Sequence, residues 1–150
     1  MSEKALLAKA RQLTQEEFEL SKLAVNKAGS AKVKAFAELA VKHGEELDKK
    51  LTELAGESGV TEPRKISQPM QERLSVIGKL QGEAFDPDYL TMMLDMQRSN
   101  IAILEELAKR AEDLKLRSFA REALTTERAR LKKAEALAAP EVPEASPAAQ

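Results

Sequence analysis

Helical periodicity runs almost unbroken along this 150-residue chain, with few glycines and prolines to interrupt it. The fold is therefore set by where those breaks fall and by the face each helix turns inward. Gly29-Ser30 ends a first helix, which starts near Ser2 or Thr14, and caps a second from about Ala31 to Ala55. One face of the second helix carries Val33, Phe36, Ala40, His43, Leu47, Leu51 and Leu54. Gly56 to Pro63 breaks the pattern, and Pro69 to Leu80 is a short amphipathic segment with Leu74, Ile77 and Leu80 at helical spacing, closed by Gly82. Asp86-Pro87 opens a third long helix, with Asp as N-cap and Pro at the first helical position, where its missing N–H costs nothing. Its inner row is Leu90, Met93, Gln97, Ile101, Leu104 and Ala108. A fourth long helix runs from near Leu116 to Leu137 with Leu116, Ala120, Ala123, Glu127, Leu131 and Ala134 inward.

Ala, Leu, Glu and Lys dominate while aromatics make up only 3%, the composition of an all-α protein. Lys32-Val33-Lys34-Ala35-Phe36-Ala37 is repeated loosely by Lys115-Leu116-Arg117-Ser118-Phe119-Ala120, each opening the second helix of a pair. Two helical hairpins follow. Short links make the helices within each hairpin antiparallel, and the connection from Gly56 to Phe85 is long enough to span the bundle. The expected architecture is an antiparallel four-helix bundle with one long crossover containing a short helix. Residues 1–138 form this bundle, and residues 139–150, rich in Pro and Ala, read as a disordered tail.

Several function classes are poorly supplied. The chain has no cysteine, so disulfides, thiolate zinc sites and thiol nucleophiles are ruled out. Its formal charge is -1, with the signs interspersed; no basic stripe suits a phosphate backbone, and nucleic acid is not an expected partner. The apolar run after Met1 is too short for a signal peptide, and no window approaches a membrane span. The chain as written reads as cytoplasmic; a mature periplasmic protein relieved of its signal peptide would read the same. No Gly-x-Ser-x-Gly elbow or phosphate-cradling glycine motif occurs, and the residues call for no cofactor.

His43 is the one histidine. Facing inward, it is a ligand, an acid/base group or a satisfied structural residue. A carboxylate-bridged di-iron bundle needs two Glu-x-x-His pairs, and with a single histidine and no such pair that site is excluded by counting. Met92, Met93 and Met96 at helical spacing read as gap-filling core rather than soft copper ligands. Tyr89, near a helix start, is expected to place its hydroxyl on a backbone carbonyl. Glu45 to Lys50 reads as a solvated face.

The stretch Leu80-Gln81-Gly82-Glu83-Ala84-Phe85-Asp86-Pro87-Asp88-Tyr89-Leu90 resembles the Leu-x-Gly-x-x-Phe-Asp-x-x-Tyr-Leu signature of the bacterial family called domain of unknown function 4142, and Val33 to Ala37 followed by His43 and Leu47 resembles its second helix. The resemblance spans roughly Glu16 to Leu137. It implies a ferritin-like four-helix bundle, usually exported in relatives, with no established activity. Relatives commonly carry Asp-His where this chain has Lys42-His43, and histidines where it has Gln97 and Arg130; a first-helix glutamate of the pattern is matched by Glu17 or Glu19.

Two readings follow. A weak mononuclear metal site from His43, Glu17, Gln97 and Glu127 is one, although an amide is a poor transition-metal ligand and Arg130 repels a cation. The favoured one is a buried polar cluster of His43, Gln97, Arg130, Glu17 and Glu127. In it Arg130 pairs bidentately with Glu17 or Glu127, and Gln97 hydrogen-bonds His43. The expected function is that of a non-catalytic bundle, a partner-binding or stress-associated accessory protein with a degenerate metal site and an unidentified protein partner. Oligomeric state is open: the surface heptads can support a dimer, while the extension of the first helix from Ser2 to Leu13, with Leu6, Leu7 and Ala10, can equally fold back on its own bundle.

Overall fold

The computed structural model describes residues 1–60 and 65–139. It is all-α, with α1 (Glu3–Lys27), α2 (Ala31–Glu57), α3 (Gln68–Ile77), α4 (Phe85–Arg110) and α5 (Leu114–Ala138). Four helices start on side-chain caps. Ser2 Oγ accepts from Ala5 N at 3.1 Å, so α1 takes the earlier of its two possible starts. Ser30 caps α2, Ser67 caps α3 and Asp113 caps α5, each supplying an oxygen to first-turn N–H groups that have no intrahelical partner. At the end of α4, the Arg117 guanidinium donates twice to the Ala111 carbonyl, at 2.9 and 2.6 Å.

The long helices pack as two hairpins, α1 on α2 and α4 on α5, joined through α1 and α4. Ser21 of α1 meets Tyr89 near the start of α4, and Glu3 accepts from Glu112 N just past its end, so α1 and α4 are antiparallel. His43 against Glu127 and Glu57 against Lys115 set α2 antiparallel to α5. Helices α2 and α4 thus point the same way, and the chain between them must travel the length of the bundle. Within it, α3 buries Met70 and Ile77, and Glu16 Oε2 accepts from both the N–H and the hydroxyl of Ser67 at 2.9 Å. Leu6, Leu7 and Ala10 are buried in the bundle's own core.

The reading of Asp86 as the N-cap of α4 is corrected. The turn at Gly82 already leads into the helix, because the Gly82 carbonyl accepts from Phe85 N at 3.0 Å and Asp86 N at 3.4 Å. The helix accordingly starts at Phe85, after Ala84, with no side-chain cap, and Pro87 still lies in the first turn. The Asp86 carboxylate reaches across to the α1–α2 turn instead, accepting from Gly29 N and Ser30 N at 2.9 Å each. Beside it Gly82 N donates to Lys27 O at 2.9 Å. Two glycines permit this approach: Gly82 has φ +63°, and a Cβ on Gly29 would stand 2.5 Å from the carbonyl carbon of Gly82. Two other boundaries differ. Helix α2 continues to Glu57, and α3 ends at Ile77, before Gly78, rather than at Leu80. Residues 61–63 of the break after α2 and the tail from Pro140 lie outside the described residues.

Removing the carboxylate in Asp86→Ala leaves both turn N–H groups without their charged acceptor, and we expect a loss of about 2 to 3 kcal/mol in chemical denaturation. Gly29→Ala forces the two turns apart and should cost about 2 kcal/mol or more. Stability unchanged in both variants would show that these contacts do not hold the crossover.

Candidate functional site

The apolar core is in two halves. One, toward the α1–α2 turn, contains Leu20, Ala24, Val33, Phe36, Phe85, Tyr89, Met93 and Ala134. The other contains Leu7, Ala10, Leu47, Leu51, Leu104, Leu107, Leu116 and Ala120. Between them in sequence, each long helix contributes polar residues: Thr14 and Glu17 from α1, His43 from α2, Gln97 and Asn100 from α4, Glu127 and Arg130 from α5. Gln97 and Glu127 are fully buried and Asn100, Thr14 and Glu17 nearly so. Only His43 and Arg130 are partly exposed.

At the centre, His43 Nε2 lies 2.7 Å from Glu127 Oε1. The His43 side chain is 21% exposed and that of Glu127 0%, so the imidazole closes the layer over the carboxylate. Glu17 is held well above the ordinary carboxylate value of 4.5, first by burial and then by repulsion from Glu127, with Arg130 acting the other way. Its carboxyl therefore keeps a proton more readily than an exposed one. The guanidinium carbon of Arg130 lies 6.0 Å from the centroid of the Phe36 ring, at the outer reach of a cation–π contact.

The structure revises how these side chains meet. The partner of His43 is Glu127 rather than Gln97, whose amide oxygen and nitrogen are buried without a hydrogen-bond partner. Both ends of the Asn100 amide and Thr14 Oγ1 are in the same condition. Arg130 forms no ion pair within 4 Å with Glu17 or Glu127; its influence on Glu17 acts through space. Of the two first-helix glutamates it is Glu17 that is buried in the layer; Glu19 is partly exposed and engaged by Lys22 at 3.3 Å and by Gln15 at 3.0 Å. Among the described residues no three His, Cys, Asp or Glu side chains converge as a metal-binding group.

Tyr89 is likewise corrected. Its hydroxyl meets Ser21 Oγ at 2.9 Å rather than a backbone carbonyl, because the helical carbonyls around it are already engaged within their own helices. Its ring stacks on Phe85 and meets Phe36 edge-on, and burial pushes its pKa up. Met92, Met93 and Met96 are buried among these rings. Sequence reasoning missed Thr14, Ser21 and Asn100. Their signal was present: Thr14, Glu17 and Ser21 recur at helical spacing along α1, and Asn100 lies one turn beyond Gln97.

Chemically, the layer can hold a proton on Glu17 and hydrogen-bond an imidazole to Glu127. The route outward passes His43 and Arg130 into a groove of about 320 Å³ between α2 and α5, beside Phe36 and Leu39. Glu127 is wholly covered. No helix among the described residues is long and apolar enough to cross a membrane.

A family model described as Domain of unknown function (DUF4142) matches residues 1–137. No curated protein and no solved structure matches the chain.

Because the proton affinity of Glu17 is higher in the folded than in the unfolded chain, the folded state binds more protons as pH rises above about 4.5, and stability must fall through that range. Glu17→Gln removes the titrating carboxyl. We expect the variant to be more stable than wild type at neutral pH, with the gain shrinking as pH is lowered toward 4.5, in thermal melts across pH 4 to 8. An equal difference at every pH would show that Glu17 does not titrate differently on folding.

Proposed function

The chain belongs to the DUF4142 family, and from that premise we propose that it is a non-catalytic, ferritin-like bundle acting through its surface, as a partner-binding or stress-associated accessory protein. On this reading the polar layer is a structural lock standing where relatives keep further histidines. The observation that carries it is the 2.7 Å separation of His43 Nε2 and Glu127 Oε1. Two ligands on one tetrahedral ion, each about 2.1 Å from it, stand about 3.4 Å apart, whereas 2.7 Å is the length of a direct charge-assisted hydrogen bond. In this arrangement His43 Nε2 is engaged by the carboxylate, which supports the lock reading. Burial supports the same reading, because both carboxyls lie beneath side chains that a substrate would have to displace.

Protein purified without a histidine tag is expected to carry no stoichiometric transition metal by elemental analysis, and its melting temperature should not respond to added zinc, manganese or iron. His43→Ala leaves Glu127 buried without its partner and should cost about 2 to 3 kcal/mol. One tightly held metal ion per chain, lost in His43→Ala, would overturn the proposal in favour of a weak mononuclear site.

A further inference from the structure

Among the long helices, α2 and α5 are the neighbours that touch most sparsely, and two grooves open along their seam. The first, about 320 Å³, is basic: Lys42, Arg130 and Lys133 outnumber Glu46 beside the apolar Phe36 and Leu39. The second, about 480 Å³, is acidic: Glu53, Glu57 and Glu122 outnumber Lys50 and Lys115 around Leu54, Leu114 and Phe119. Each end of the seam also presents a leucine to solvent, Leu39 at 58% and Leu114 at 72% exposure. A solvent-facing leucine beside an apolar groove marks a surface that gains by being covered.

We propose that this seam is covered by the seam of a second copy of the chain, laid antiparallel across a two-fold axis that crosses α2 near Asp48. The charge order along α2 carries the choice of occupant. Its outward stripe reads Leu39, Lys42, Glu46, Lys50, Glu53, Glu57 at steps of three and four residues. Reversed about Asp48, Glu46 faces Lys50 of the partner subunit and Lys42 faces Glu53 of the partner subunit, each twice by symmetry. Leu39 then arrives at the end of the partner's α2, where Leu54, Leu114 and Phe119 line the second groove. A parallel arrangement sets Lys42, Glu46 and Lys50 each against its own copy and is opposed by like charge. A surface complementary to itself under a two-fold axis is what an isologous dimer requires. The charges fix register and exclude the parallel alternative, while the leucines contribute the burial. The proposal rests on the reading of the bundle as acting through its surface, and it names the partner.

The test is the mass of the full chain by sedimentation equilibrium over a wide concentration range. Wild type is expected to approach twice the chain mass of 16.5 kDa. Leu39→Glu should weaken dimerisation at least about tenfold, and Glu46→Lys or Lys50→Glu alone should weaken it as well, whereas the double variant Glu46→Lys/Lys50→Glu should recover it. Leu39, Glu46 and Lys50 are all solvent-exposed, and unchanged helical circular dichroism would show that each variant folds. A chain that stays monomeric at every concentration overturns the pairing. So does a dimer indifferent to Leu39→Glu and to both single reversals, or a double variant no better than the singles. None of these outcomes touches the metal analysis, so the pairing and the structural-lock reading fail separately.

Discussion

The crossover between α2 and α4 must order a long stretch of chain before either hairpin gains from meeting the other, and loop closure of that kind opposes folding. The interlock of the α1–α2 turn with residues 82–86 is where this opposition is met. Asp86 fixes Gly29 and Ser30 through their N–H groups, and Gly82 fixes Lys27 through its carbonyl. Phe85 and Tyr89 follow immediately and are fully buried. The register of α4 on α1 is therefore decided within one turn of its start. Ser21 against Tyr89 lies in that turn, and it sets the level at which the polar residues of α1 and α4 come together. The conspicuous Gly-x-x-Phe-Asp-x-x-Tyr pattern is explained by this architecture without any chemistry: a backbone approach, an aromatic anchor, a cross-turn cap and a buried hydroxyl.

The polar layer is the second constraint, and it acts through what it forbids. An apolar interface between antiparallel helices tolerates a slip of one turn with little penalty, since leucine replaces leucine. Slipping α5 by one turn would carry Glu127 away from His43 and into aliphatic surroundings, where an unpaired carboxylate is costly. A buried polar pair thus selects one alignment among several near-equivalent ones. The orphaned amides of Gln97 and Asn100 indicate that the layer is held at some expense in hydrogen bonding. The stability of the fold comes from the two apolar halves above and below it.

Most of the architecture was legible from periodicity, because helix faces repeat and helix ends announce themselves. Gly29-Ser30 and the inner rows of α2, α4 and α5 read correctly for that reason. Asp86 misled because an aspartate before a proline is a local signal, and here a nonlocal demand won: the N–H groups of a turn 56 residues away in sequence needed an acceptor. The same limit applies in the interior. Spacing placed His43, Gln97 and Glu127 on inward rows, but which of them touch depends on helix rotation and on side-chain length. Glutamate from α5 spans the gap to α2, and the Gln97 amide is left without a partner.

Charge leads to the same reading of the layer as geometry does. Were both carboxyls ionised with the imidazole neutral, Arg130 would leave a single negative charge to be balanced, and a divalent ion would overshoot it in a region with little water to screen the excess. Retaining the proton on Glu17 lets the guanidinium balance a single carboxylate with no ion at all. The raised proton affinity of Glu17 follows from its burial and from the neighbouring Glu127 carboxylate. Arg130 changes the electrostatic problem the layer has to solve. It sets a cation beside the route from the groove to the buried carboxyls, so this surface, on our reading, serves contact with another chain.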